Sequence, residues 1–126
     1  MKSRWSVEPR RVEKPWGWEL VWAETDAYVG KLLFVRAGQA LSLQYHEVKD
    51  EAWLVQEGKA SVELGEVGGA VETIEIGAGD ALRYPPGTVH RITALEDTLI
   101  VEVSTPHLDD VVRLEDRYGR EGTSAP

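Results

Sequence analysis

Residues 38–58 read GQALSLQYHEVKDEAWLVQEG. From Leu41 to His46 the pattern alternates strictly, with Leu41, Leu43 and Tyr45 set against Ser42, Gln44 and His46. That is the two-residue period of a strand, so Gln44 and His46 share a face. Across the loop EVKD, Glu51 opens the next strand, which closes at Glu57-Gly58. A second stretch, GDALRYPPGTVHRITA at residues 79–94, carries His90 on a strand face with Ile92 and Ala94. Gln44, His46, Glu51 and His90 together offer one amide oxygen, two imidazoles and one carboxylate. Such a mixed N/O set suits Zn, Fe, Ni, Mn or Co and does not choose among them.

Working outward, the chain reads as short apolar or alternating runs separated by turn residues. Trp18–Ala23, Gly30–Arg36, Lys59–Leu64, Val71–Ile76, Ala81–Tyr84, Val89–Leu95 and Thr98–Ser104 join the two runs above. Within Lys59–Leu64, Ala60, Val62 and Leu64 alternate with Lys59, Ser61 and Glu63. About nine short strands at even spacing predict an all-β sandwich or barrel. Residues 1–13 are charged and irregular and read as an arm. Residues 14–120 form the domain, beginning at the turn KPWGW. The tryptophans Trp16, Trp18 and Trp22 serve core or interface packing. From Asp109 the apolar positions Val111, Leu114 and Tyr118 fall at helical spacing and stop at Gly119, which predicts a short helical or turn-rich segment. Residues 121–126 are small and polar and read as a flexible tail.

A chain of 126 residues with 42% apolar and 29% charged side chains is one globular domain. It has no cysteine, hence no disulfide framework and no thiolate site. A net charge of −8 argues against nucleic acid or an anionic membrane as partner. No long apolar run and no signal-like N-terminus is present, so a cytoplasmic protein is expected. The absence of Asn and Cys, with a single Met, gives a thermophile-like composition.

The two stretches resemble the paired motifs of the cupin family. The first family motif is Gly, five residues, His-x-His, four residues, Glu, six residues, Gly; here it runs Gly38, Gln44-x-His46, Glu51, Gly58. The second is Gly, five residues, Pro-x-Gly, two residues, His, three residues, Asn; here it runs Gly79, Pro85-Pro86-Gly87, His90, Ala94. Gln44 and Ala94 are the departures. The Gln is similar to the Gln, His, Glu, His set of phosphomannose isomerases. LSLQYH resembles the LSLQMH of the isomerase (C-terminal) domain of type II enzymes, which are fused to a mannose-1-phosphate guanylyltransferase. KPWG at residues 14–17 is similar to that family's RPWG, and DDVVRLEDRYGR at residues 109–120 to its DDIVRxEDxYGR. The family's His-rich run is replaced here by Glu47 and Val48.

The resemblance implies a jelly-roll β-barrel holding a divalent metal on Gln44, His46, Glu51 and His90. It also implies a metal-dependent aldose–ketose isomerase acting on a phosphorylated hexose. The phosphate needs cations, for which Arg91, Arg113 and Arg120 are the candidates. The reaction needs a base, for which Glu102 and Lys31 are candidates, with His107 as a rival. Two other readings stand beside it: a non-catalytic metal- or sugar-binding cupin, and a cupin dioxygenase. An apolar outer sheet face, with contributions from the N-terminal tryptophans, implies a homodimer.

Overall fold

The computed structural model describes residues 3–120. Among them there is no helix, and so none long and apolar enough to cross a membrane. Eleven strands run β1 (Arg10–Lys14), β2 (Gly17–Glu24), β3 (Val29–Val35), β4 (Leu43–Tyr45), β5 (Glu51–Glu57), β6 (Lys59–Glu66), β7 (Val71–Gly77), β8 (Ala81–Tyr84), β9 (Thr88–Ala94), β10 (Thr98–Ser104) and β11 (Val112–Glu115). They form two antiparallel sheets, one in the order β1-β2-β3-β10-β5-β8 and the other β11-β4-β9-β6-β7. β3, β10, β5 and β8 opposite β4, β9, β6 and β7 make the four-against-four jelly roll. β1 and β2 extend one sheet, and β11 extends the other.

The strand period decides what lies between the sheets. On β6, Ala60 and Val62 are fully buried, while Lys59 stays exposed. Along four strands the inward face then changes character at the same level. Val35 and Leu33 give way to Lys31 on β3, and Ile100 to Glu102 on β10. Val55 and Trp53 give way to Glu51 on β5, and Ala94 and Ile92 to His90 on β9. One part of the inter-sheet space is thus an apolar core and the adjoining part is ionised. Register carries the inward face across the larger sheet: Arg10, Val21, Lys31, Glu102, Trp53 and Leu82 are successive cross-strand partners.

Two glycines tie the motifs to this frame. Gly58, at φ 102°, turns β5 into β6, and a Cβ there would lie 2.4 Å from the Asp97 carbonyl oxygen. Gly87, at φ 85°, follows the two prolines and donates its N–H to the His46 carbonyl at 2.8 Å, joining the second motif to the first.

Three local expectations differ from the fold. Residues 10–13, expected in the arm, join Lys14 in strand β1, hydrogen-bonded along β2. The segment after Asp109 is not helical: Val112–Glu115 is strand β11 on β4, flanked by turns. The run from Leu41 to His46 is regular only over Leu43–Tyr45. Before it, Ala40 makes an isolated bridge to Thr93, and Leu41 turns inward to join the core rather than facing away. Trp16 is core. Trp18 stacks on Phe34 at 5.4 Å on the outer face, and Trp22 is largely exposed.

Candidate metal centre

β4, β5 and β9 bring His46, Glu51 and His90 together. One ligand atom from each lies within 4.8 Å of the others, and all three residues are buried. His46 Nε2 is 3.2 Å from Glu51 Oε2, and His90 Nε2 is 3.5 Å from Glu51 Oε1. Each ring is fixed from its other nitrogen. His46 Nδ1–H donates to the Asp110 carbonyl, and His90 Nδ1–H donates to the Thr88 carbonyl at 2.9 Å. A donor at Nδ1 leaves a lone pair at Nε2, the tautomer that a metal ligand requires. Two lone pairs and a carboxylate therefore face one another in a buried space. His90 Nε2 has no hydrogen-bond partner there, and Glu51 Oε2 meets only the Lys49 ammonium, at 2.8 Å. Two imidazole nitrogens and a carboxylate so placed fit a divalent metal.

Gln44 is the direct cross-strand partner of His90, which sets their side chains on one face, and it lines the same cavity as His46 and Glu51. Tyr84 stacks on the His90 ring at 4.2 Å and Trp53 meets Tyr84 edge-on, so the imidazole is packed as well as hydrogen-bonded.

His46, Glu51 and Gln44 line a cavity of about 380 Å³, and His90 lies buried behind them rather than on its wall. Its walls carry an ordered chain of charges. Glu19 accepts from Lys31 at 3.1 Å and lies 3.6 Å from Lys14. Lys31 lies 3.7 Å from Glu102 Oε2, and Lys49 lies 3.6 Å from the same atom and 2.8 Å from Glu51 Oε2. Glu102 Oε1 accepts from Trp53 Nε1 at 3.0 Å. Burial alone would raise the Glu51 carboxyl, but in the metal-free protein hydrogen bonds from His46 and His90, with the Lys49 charge, hold it well below the usual carboxylate range, and a metal would take the place of those imidazole protons. Burial would likewise lower Lys49, but Glu102 and Glu51 reverse this and raise it, so it stays an ammonium. Lys14 is lowered by burial, which Glu19 only partly offsets. Six basic residues line the cavity (Arg10, Lys14, Lys31, Lys49, Arg113 and Arg120) against four acidic ones (Glu19, Glu51, Glu102 and Asp109). Arg10 is paired with Glu24 and Arg120 with Asp116, so the basic groups are concentrated here but largely balanced by carboxylates.

Of the residues singled out from sequence, Lys31, Glu102, Arg113 and Arg120 line this cavity with Gln44, His46 and Glu51. Arg120 is also held by Asp116 at 3.0 and 3.1 Å. Arg91 is elsewhere. It lies next to His90 on β9, hence on the opposite face, and is paired with Glu63 and Glu115. His107 is exposed and turned to Thr105 Oγ1. Two participants were not singled out. Lys49 lies in the loop between the ligand-bearing residues. Asp110, in the terminal DDVVRLEDRYGR, accepts the backbone N–H groups of Glu47, Val48 and Lys49 at 3.0, 2.7 and 2.8 Å while its carbonyl orients His46. The recurrence of DD in that tail was the available signal.

The pattern of the family described as mannose-6-phosphate isomerase C-terminal matches residues 3–116. The xanthan biosynthesis protein XanB of Xanthomonas campestris is 34% identical over 116 residues, covering 88% of this chain and 24% of its own length. The mannose-1-phosphate guanylyltransferase ManC of Salmonella typhimurium is also 34% identical, covering 88% of this chain and 23% of its own. This chain thus spans about a quarter of the length of those relatives. Among solved structures, the capsular polysaccharide assembling protein CapF of Staphylococcus aureus superimposes with a TM-score of 0.73 at 20% identity, over 90% of this chain and 33% of that one. KdgF from Halomonas sp. gives 0.66 at 26% identity, over 79% and 88%. Oxalate decarboxylase of Bacillus subtilis gives 0.71 at 20% identity, over 83% and 30%, a likeness of fold alone.

Proposed function

This chain belongs to the mannose-6-phosphate isomerase C-terminal family, and we propose that it is a metal-dependent aldose–ketose isomerase for a phosphorylated hexose of the mannose 6-phosphate type. The observation that carries this reading is the convergence of His46 Nε2, His90 Nε2 and the Glu51 carboxylate beside a cavity lined by Lys14, Lys31, Lys49 and Arg113. Gln44 Oε1 is assigned as the fourth ligand. A divalent ion held there (Zn, Mn, Fe, Co or Ni) would supply Lewis acidity toward the carbonyl and adjacent hydroxyl oxygens of a sugar.

The remaining work falls to side chains. Glu102 is assigned as the base that takes the proton from C2 of the aldose and returns it to C1, while the hydroxyl proton passes from O2 to O1. Glu102 Oε1 is occupied by Trp53 and Oε2 has no hydrogen bond, so Oε2 is the atom left to accept that proton. Lys31 lies 3.7 Å from Oε2. Arg113 and Arg120 are assigned to the phosphate, whose planar bidentate recognition suits guanidinium groups. Arg91 has no part in this assignment.

The reading is tested by incubating the protein with Zn, Mn, Co or Ni and either mannose 6-phosphate or fructose 6-phosphate. Interconversion is expected. No interconversion with any of these metals removes the isomerase and leaves a metal- and sugar-binding cupin. Iron-dependent oxygen uptake would instead favour the dioxygenase. We also propose a homodimer through the outer face of the larger sheet, where Trp22, Leu54 and Val103 stand exposed around the Trp18–Phe34 stack.

A further inference from the structure

Lys49 is a buried cation inside the candidate metal centre. Its backbone is fixed because the Asp110 carboxylate takes the N–H groups of residues 47–49. Its side chain is 7% exposed and reaches Glu51 Oε2 at 2.8 Å. That same oxygen faces His46 Nε2 at 3.2 Å. One carboxylate oxygen is therefore claimed both by an ammonium and by the position a metal would fill. A second carboxylate oxygen, Glu102 Oε2, lies near the ammonium at 3.6 Å.

We propose that Lys49 is a built-in counter-ion of this centre, which neutralises Glu51 in the metal-free protein and yields it, turning toward Glu102, when a divalent cation enters. This rests on reading the cluster as a metal site. Its physical basis is that a buried carboxylate left without a partner is strongly unfavourable, so the metal-free fold needs a cation there. A fixed positive charge beside an incoming divalent ion opposes its binding. Lys49 thus gives a site that stays folded when empty and binds its metal less tightly than its ligands alone would allow. It also couples the metal carboxylate to the assigned base through a single shared ammonium.

The test is calorimetric titration of the full chain with Mn²⁺ and with Zn²⁺, at one pH and ionic strength, beside thermal melting with and without metal. Lys49→Met removes the charge, Lys49→Gln keeps a donor toward Glu51 without the charge, and Lys49→Arg keeps the charge. Both neutral variants are expected to bind metal on the order of tenfold or more tighter than wild type. They should also melt lower without metal and gain more from its addition. Lys49→Arg should stay close to wild type. A merely structural lysine would lower melting equally with and without metal and leave affinity unimproved. If K49M folds only when metal is added, that rescue supports the counter-ion role. Equal or weaker metal binding in both K49M and K49Q overturns it. No binding by any variant or by wild type overturns the metal reading itself, and the inference with it.

Discussion

Replacing Asp110 by alanine should unfasten the loop that joins the ligand strands. The carboxylate accepts three backbone N–H groups at 2.7–3.0 Å. A buried charged acceptor contributes about 1.5–3 kcal/mol per bond, but Asp110 is only half-buried and water competes, so about 1 kcal/mol each is the fitting scale. The loss is then about 2–3 kcal/mol, which for a domain of this size lowers Tm by roughly 8–12 °C. Asp110→Asn keeps one carbonyl acceptor and should lose roughly half of that. Metal affinity should fall by about tenfold or more in D110A, because without the carboxylate clamp the segment whose main-chain carbonyl orients His46 is no longer fixed against residues 47–49. The pH dependence has a definite sign. Burial alone would raise the Asp110 carboxyl, the three N–H groups lower it, and the net shift is downward. A depressed folded pKa means the contribution is complete above the unfolded carboxyl value of about 3.9 and is lost as pH falls through the folded one. The gap in stability between wild type and D110A should stay level from about pH 5 to 8 and close only below about pH 4. Differential scanning calorimetry across that range is the assay. A D110A protein melting within about 2 °C of wild type at pH 7 would refute the clamp.

Three further outcomes follow from the same geometry. Gly58→Ala forces a Cβ to within 2.4 Å of the Asp97 oxygen and 2.6 Å of Thr98 Oγ1 at φ 102°, and should cost about 2–3 kcal/mol in urea unfolding. Glu102→Gln can still accept the Trp53 N–H and so keep the fold by near-ultraviolet circular dichroism, while kcat drops by about 10²–10⁴ and KM changes little. Leu54→Glu with Val103→Glu places two charges on the exposed outer sheet face and should convert the proposed dimer to a monomer in sedimentation.

The fold was legible where strand period and burial coincide. β8 and β10 fall on the runs Ala81–Tyr84 and Thr98–Ser104, and the His90, Ile92, Ala94 face of β9 turns inward as its alternation requires. β1 escaped notice because its inward side faces an ionised cavity, so Arg10, Val12 and Lys14 alternate without an apolar stripe. β11 was misread because three apolar residues in a short segment match helical spacing by coincidence, while its buried position is Arg113. In the centre, motif spacing brought forward the four assigned ligands. Lys49 and Asp110 were not legible by the same route. One sits in an irregular loop, the other acts partly through its backbone, and the contact between their segments spans about half the chain.

The central claim is a metal held by Gln44, His46, Glu51 and His90, and diffraction from a crystal soaked in Mn²⁺ or Zn²⁺ tests it most directly. The account predicts one anomalous peak between β4, β5 and β9, about 2.0–2.3 Å from His46 Nε2, His90 Nε2, a Glu51 oxygen and Gln44 Oε1. A saturated soak with no peak there, or a peak whose ligands leave Gln44 turned away, would contradict it.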